Sequence, residues 1–359
     1  MKNIFFALIA CLCFQLNFGQ EADYYVLEGK VGKYPVTMNL YRDAWINDSD
    51  QIYYTGYYYY HSQEIPIGLY ESNRIGKKLE LTSWNDVNNQ SEIFNGTFEK
   101  GKFKGTWTHG KSVLEFDLIP APSSSFTELE YYENNRIVPI KTKNPKDTIE
   151  GEFGFSFFLP KNEKLRNELM NLIYDTQDDI NTFTHAKLNE IEKEYKEEIQ
   201  SYLNDGMEPA GHWNHSSFES LSPLINNQNY LVMIFSGYQY TGGAHGFSYE
   251  QFYTYEHRKQ KWLELKDVLN LNYTKEINKV LDKAARKEFN LPQGKKLNEI
   301  EESPFIAEEI TVTENFTLSK KGITFHYGLY ELTPYAFGYY EILIPYEDLK
   351  PYLAKGFAY

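Results

Sequence analysis

Over the first third of the chain, hydrophobic and polar residues alternate with a period near two. Short apolar runs at 53–60, 65–69, 79–82, 93–98, 104–107 and 113–118 follow one another in quick succession. Turn-forming stretches such as Asn73-Arg74-Ile75-Gly76-Lys77 and Glu99-Lys100-Gly101-Lys102 separate them. A period of two sends alternate side chains to opposite faces of a strand. The segment 20–121 therefore reads as an antiparallel β-meander that curls into a small barrel or sandwich. Pro120-Ala121-Pro122-Ser123-Ser124-Ser125 breaks the alternation, and proline and serine without periodic apolar residues mark a domain boundary.

From 126 to 359 the period changes. Leu165, Leu169, Leu172 and Ile173 recur at helical spacing, then Leu188, Ile191, Tyr195, Ile199 and Tyr202, then Ile277, Val280, Leu281, Ala284 and Phe289. Asp205-Gly206 and Pro292 with Gly294 supply stop signals for the second and third helices. Strand-like runs are expected at 128–132, 151–159, 212–219, 230–239, 247–255, 310–318, 323–327 and 339–344, with a short closing helix over 346–353. The fold class is thus α+β: a β-rich N-terminal domain, then a mixed α/β domain whose antiparallel sheet is packed by helices.

The N-terminus departs from both patterns. Met1-Lys2-Asn3 precedes an apolar block reaching Phe14, which gives way to Asn17-Phe18-Gly19-Gln20. This has the layout of a secretory signal over residues 1–19, too short to span a bilayer, with cleavage expected after Gly19. Leu8-Ile9-Ala10-Cys11 also fits a lipoprotein box, which would put a lipid anchor on Cys11. Both cysteines, Cys11 and Cys13, fall inside the signal, so cleavage after Gly19 leaves no thiol chemistry and no disulfide. No later stretch reaches the ~20 apolar residues of a transmembrane helix. The expected location is exported: periplasmic or extracellular, with a lipid as the one means of holding the chain at the envelope.

Charge narrows the partners. The 359 residues carry a formal net charge of -14, which repels nucleic acid and steers cationic partners toward the surface. The 31 tyrosines and 24 phenylalanines mainly signal packing across pleated sheets. Catalytic signatures are missing: there is no Gly-x-Ser-x-Gly elbow, no His-Glu-x-x-His helix and no P-loop lysine. Carboxylates are plentiful, so an envelope glycan hydrolase or other carbohydrate-active enzyme with unidentified carboxylates is the alternative to a binding protein. His212 and His215 would need a bulge to face one metal ion together with His245 or His257, because a regular strand points them to opposite faces. No metal site and no cofactor are expected.

The most distinctive stretch is Tyr240-Thr241-Gly242-Gly243-Ala244-His245-Gly246, set between two aromatic-rich strand runs. Paired glycines there supply backbone angles that side chains forbid, and His245 is the titratable group of the turn. This stretch is similar to the Thr-Gly-Gly-Ala-His signature of PdaC/RsiV-like extracytoplasmic domains. The tail carries the same resemblance through Phe316-Thr317-Leu318, Gly322-Ile323-Thr324-Phe325, Tyr330-Glu331-Leu332-Thr333-Pro334-Tyr335-Ala336-Phe337-Gly338 and Ile344-Pro345-Tyr346-Glu347-Asp348-Leu349. It runs from about Phe126 to the C-terminus and leaves the N-terminal β-domain uncovered. It implies a mixed α/β domain facing the envelope, in a family known both as lysozyme-binding sensor regions of anti-sigma factors and beside peptidoglycan deacetylase domains. Neither the sigma-binding segment nor the deacetylase domain is recognisable here. The expectation is a recognition module for a cationic lysozyme-like protein or for peptidoglycan. Its candidate binding residues are Tyr240, Thr241, Gly242, Gly243, His245, Tyr330, Tyr335 and Gly338, with Tyr335 as an aromatic anchor.

Overall fold

The computed structural model describes residues 23–43, 52–83, 91–142 and 149–358. The expected signal, its cleavage point and Cys11 lie outside the described residues. Eight strands open the fold: β1 (Tyr24–Val31), β2 (Tyr34–Arg42), β3 (Tyr54–Tyr60), β4 (Ile67–Ile75), β5 (Lys78–Ser83), β6 (Ile93–Glu99), β7 (Lys102–His109) and β8 (Ser112–Pro120). Each pairs antiparallel with its sequence neighbour, and β1 returns to β8 from Leu27↔Pro120 to Val31↔Phe116, closing a barrel. Closure removes the exposed edges that an open meander would leave. The Lys100-Gly101 turn between β6 and β7 has positive φ at both central residues (50° and 72°), the twist that tight hairpins require. Leu27, Met38, Leu40, Tyr54, Tyr58 and Phe94 fill the barrel.

Alternation along β3 has a second consequence. Tyr58 points into the barrel, while Tyr57 and Tyr59 point out of it against a second layer, Tyr59 buried and Tyr57 half-buried. That layer is a six-stranded sheet in the order β14-β13-β12-β11-β10-β9. Its members are β9 (Leu129–Ile140), β10 (Ile149–Pro160), β11 (Ser216–Asn226), β12 (Tyr230–Tyr240), β13 (Phe247–Glu256) and β14 (Lys261–Trp262). All pairs are antiparallel except β10–β11, which is parallel because two helices form the crossover between them.

Those helices, α1 (Glu163–Tyr174) and α2 (Ile180–Asn204), start on side-chain caps: Asn162 accepts from the Leu165 amide, and Asp179 from the amides of Asn181 and Thr182. Leu165, Leu169 and Met170 form the buried face of α1, whereas Leu172, expected on that face, is 49% exposed. Met170 completes the stripe in its place. On α2 the buried residues include Leu188, Tyr195 and Ile199, as their spacing predicts. The strand expected from 212 begins only at Ser216. Gly211–Trp213 instead forms a single 3-10 turn that buries Trp213, whose carbonyl accepts from the Tyr195 hydroxyl at 3.0 Å.

The remaining residues build a third layer: α3 (Thr274–Glu288), a three-stranded sheet of β15 (Phe316–Leu318), β16 (Gly322–Tyr327) and β17 (Tyr340–Pro345), and α4 (Tyr346–Leu349). Ile310 is buried in this core, but the strand expected from that residue starts only at Phe316. The closing helix is likewise shorter than 346–353, passing into a 3-10 turn at Lys350–Tyr352. Among the described residues no helix is long and apolar enough to cross a membrane.

The barrel sits on the sheet face opposite α1 and α2. Tyr41 and Tyr24 meet the Phe158 ring at 5.5 and 6.0 Å, and Tyr59 packs with Leu224, Ile225, Val232 and Ile234. Full burial of one such side chain contributes about 1.5–3 kcal/mol, so this contact has the character of a core. Asn226, fully buried, ties the two together: its Nδ2 donates to Tyr24 Oη (3.0 Å) and to the Thr127 carbonyl (2.8 Å), and its Oδ1 accepts from the Thr127 amide. The third layer joins the other two at several points, Asn315 among them, which accepts from the Phe252 amide and donates to the Glu250 carbonyl, both at 2.9 Å. The Phe252 and His326 rings stack at 3.9 Å, and Lys320 Nζ reaches Glu64 and the His61 carbonyl, both at 2.9 Å.

Candidate functional site

The β12–β13 hairpin and the loop from β16 to β17 meet at one edge of the molecule. The last paired residues of the hairpin are Gln239 and Phe247, so the Gly-Gly-Ala-His stretch forms its connection. Gly242 and Gly243 have φ of 95° and 98°, where a side chain is strained. Tyr240 Oη donates to the Gly243 carbonyl at 3.1 Å and closes the loop on itself. Gly246 has a different reason to be glycine: an added Cβ would lie 2.4–2.5 Å from the Tyr238 ring and hydroxyl.

His245 is where the two loops touch. Its ring stacks on Tyr335 at 4.0 Å and 25°, Nδ1 lies 2.8 Å from the Gly246 carbonyl, and Nε2 lies 3.5 Å from Tyr330 Oη. Tyr335 Oη donates to the same Gly246 carbonyl at 3.0 Å. The Tyr330 ring stands 5.6 Å from Tyr335 and is 50% exposed, held on a backbone with φ of 65°. The structure thus brings His245 together with Tyr330 and Tyr335, which are remote from it in sequence. Tyr335 is the half-buried rivet of this cluster, and Tyr330 is the ring offered to solvent. Phe247, which opens β13, and Phe337, in the second loop, are 46% and 44% exposed. Thr241 is exposed and makes no contact with the ring cluster, and Gly338 (φ 81°) ends the turn of Tyr335–Phe337.

Of the other histidines named from the sequence, exposed His212 lies beside Gly242, whose added Cβ would come 3.1 Å from the His212 carbonyl, and the remaining two are engaged elsewhere. His215 is buried beside Tyr195, with burial pushing its pKa down, and His257 lies 3.4 Å from Thr127 Oγ1. Among the described residues no three His, Cys, Asp or Glu side chains converge as a metal site.

Immediately behind this edge lies a cavity of about 520 Å³, enclosed by the barrel on one side and the six-stranded sheet on the other. The sequence did not flag it. Its floor is a single cross-strand row, Ser156↔Ser220↔Ser236↔Glu250, one residue from each of β10, β11, β12 and β13. Directly paired residues share a face, so all four project into the cavity. Tyr41, Tyr57, Phe158, Tyr238 and Tyr339 wall it, and Arg42 and Asp43 stand at the barrel side. Tyr339 comes from the same loop as Tyr330 and Tyr335. Its hydroxyl bonds to Ser248, and burial outweighs that bond to push its pKa up to about 12.

Glu250 is the titratable group of the floor. Burial, then the nearby Glu341 carboxylate, push its pKa from 4.5 to about 7. Glu341 itself is held below the usual carboxylate range by His326, whose Nδ1 lies 3.2 Å away. The single serines of β10 and β12 and the four of β11 were the available sign of this row, and only the strand register turns Ser156, Ser220 and Ser236 into a surface.

Residues 266–347 match the DUF3298 family, described as a protein of unknown function. That DUF3298 segment contains α3, β15–β17 and the Tyr330–Tyr335 loop; His245, the hairpin and the barrel lie outside it. A solved structure of a DUF3298 family member from Bacteroides fragilis is similar at 20% identity and a TM-score of 0.52, covering 64% of this chain and 96% of that one. A DUF3298 family protein from Pseudomonas aeruginosa PAO1 aligns at 17% identity and a TM-score of 0.43, over 64% of this chain and 95% of that one. The first likeness supports the fold alone. No curated protein matches the chain.

Proposed function

We propose that this chain is an exported cell-envelope binding protein of the PdaC/RsiV-like kind, and that it recognises a cationic lysozyme-like protein through the His245–Tyr330–Tyr335 edge. The observation that carries the reading is the exposed aromatic set Tyr330, Phe247 and Phe337 on and beside two loops fastened by the 4.0 Å His245–Tyr335 stack. Pre-fixed aromatic rings that remain solvent-accessible are the usual anchors of a protein interface. The formal charge of -14 agrees with a basic partner, since complementary charge accelerates and orients encounter. Peptidoglycan is the other ligand of the same envelope reading.

The test is binding of the purified chain to hen-type lysozyme at low and at moderate salt. Expected is saturable binding that survives moderate salt and weakens about tenfold for Tyr330→Ala, a substitution that leaves the stack in place. Binding that vanishes with salt reports only an acidic protein meeting a basic one, and would remove the lysozyme reading. Insoluble peptidoglycan pelleted with the protein then decides whether the envelope reading survives.

A further inference from the structure

Three properties of the cavity behind the aromatic edge have no role in that reading. It is of ligand size, since small-molecule pockets run to about 300–1,000 Å³ and this one holds about 520 Å³. Its floor is a straight row of hydroxyls ending in a carboxyl, one group per strand, at the roughly 5 Å step between neighbouring strands. One end of the row is used internally, where Ser156 Oγ donates to Tyr131 Oη at 3.1 Å; beside the row, Ser222 bonds to Tyr41. Among the described residues, no hydrogen bond or ion pair engages the side chains of Ser220, Ser236 or Glu250, which lie consecutively in the row. Polar groups that line a cavity without protein partners are the groups a ligand can engage.

We infer that this cavity is a binding site for a neutral saccharide, with Ser220, Ser236 and Glu250 bonding its hydroxyls and the tyrosine walls covering its apolar ring faces. The charges argue against the other classes. An anionic ligand would face Glu250, and the cation on the wall, Arg42, is already paired to Asp23 at 2.8 Å. A cationic ligand needs an unpaired anion: Asp43 on the wall and Glu341 beside Glu250 already have partners, and burial pushes the Glu250 carboxyl up to about 7, so that it can donate as well as accept. A sugar satisfies both halves of the site: its hydroxyls alternate donor and acceptor toward the row, and its C–H faces pack on Tyr57 and Tyr339. The assignment also gives the barrel a task, since Tyr41, Thr55 and Tyr57 supply the wall that turns an open sheet face into a cavity. It stands independently of the lysozyme-binding edge.

The experiment is calorimetric titration of the full chain with maltose, cellobiose and N,N′-diacetylchitobiose, each up to about 20 mM. At least one is expected to bind saturably. Ser236→Ala and Ser220→Ala should each weaken that sugar about three- to tenfold, the worth of one hydrogen bond, and Tyr57→Ala should weaken it further. Ser72→Ala, on the far side of the barrel, should bind as the parent does. The inference is overturned if none of the three sugars binds. It is equally overturned if binding is indifferent to both serine substitutions, or if spermidine occupies the site and the sugars do not.

Discussion

Replacing Glu250 by glutamine tests the electrostatics of the cavity without a ligand. The carboxyl titrates near 4.5 when exposed and at about 7 in the folded chain, because burial and the Glu341 charge both disfavour its ionised form. Between these values the folded state binds more protons at this site than the unfolded state does. Stability contributed by the protonated acid is therefore full below pH 4.5 and is lost as the pH rises through about 7. The displacement corresponds to a ceiling of roughly 3 kcal/mol, and contact with cavity water brings the expected figure to about 1–3 kcal/mol. Glutamine keeps the shape of the protonated acid and cannot ionise. Glu250→Gln should match the parent near pH 4 and exceed its stability by about 1–3 kcal/mol near pH 8, seen as a Tm several degrees higher. Charges facing this site from other elements, Glu341 on β17 and Arg42 and Asp43 from the barrel, are present in both proteins and set the common background. Thermal melts of both proteins across this range read the difference directly. A gap that is constant with pH, or a variant less stable than the parent at pH 8, would refute the assignment of a reluctant carboxylate to Glu250.

Two further substitutions probe the scaffold. Gly246→Ala drives a methyl into the Tyr238 ring at 2.4–2.5 Å and should destabilise by about 1–3 kcal/mol, while disturbing the cavity wall that Tyr238 forms. Gly243→Ala meets no atom within 4 Å and suffers only its positive φ, so lysozyme and sugar titrations of the two variants separate a steric from a backbone effect. Asn226→Ala strands the Thr127 carbonyl and amide at the barrel–sheet contact and removes one of two partners of the Tyr24 hydroxyl, which still donates to Asn39 Oδ1 at 2.8 Å; it should cost about 2–4 kcal/mol in urea denaturation. A loss under about 0.5 kcal/mol would mean that water replaces this tie without penalty.

The local grammar of the chain was readable, and its long-range pairings were not. Turn signals at Gly76 and at Lys100-Gly101, with period-two runs between them, foretell the barrel strands because hairpin pairing is decided within a few residues. Closure of β1 onto β8 joins segments about ninety residues apart, and no local signal distinguishes it from a sandwich. The candidate edge divides in the same way. The glycine pair and His245 stand out as a turn, yet that His245 should lie flat on Tyr335 follows only from docking one sheet against another. Ser220 and Ser236 carry no pattern of their own, since a one-residue slip of β11 against β12 would send one of them to the helix face.

The tyrosines show why composition misleads at such a boundary. Their abundance reads as sheet packing, and Tyr54 and Tyr58 inside the barrel obey it. Tyr41, Tyr57 and Tyr59 lie on the outer surface of the same strands, where a free barrel would expose them as a sticky patch. The six-stranded sheet covers that patch incompletely. Where aliphatic Leu224, Ile225 and Val232 oppose it, the contact is apolar and core-like; where Ser156, Ser220 and Ser236 oppose it, small side chains leave the cavity. One aromatic surface thus serves as adhesive at one end of β11 and β12 and as a cavity wall at the other. The identity of the opposing residue, aliphatic or serine, decides which.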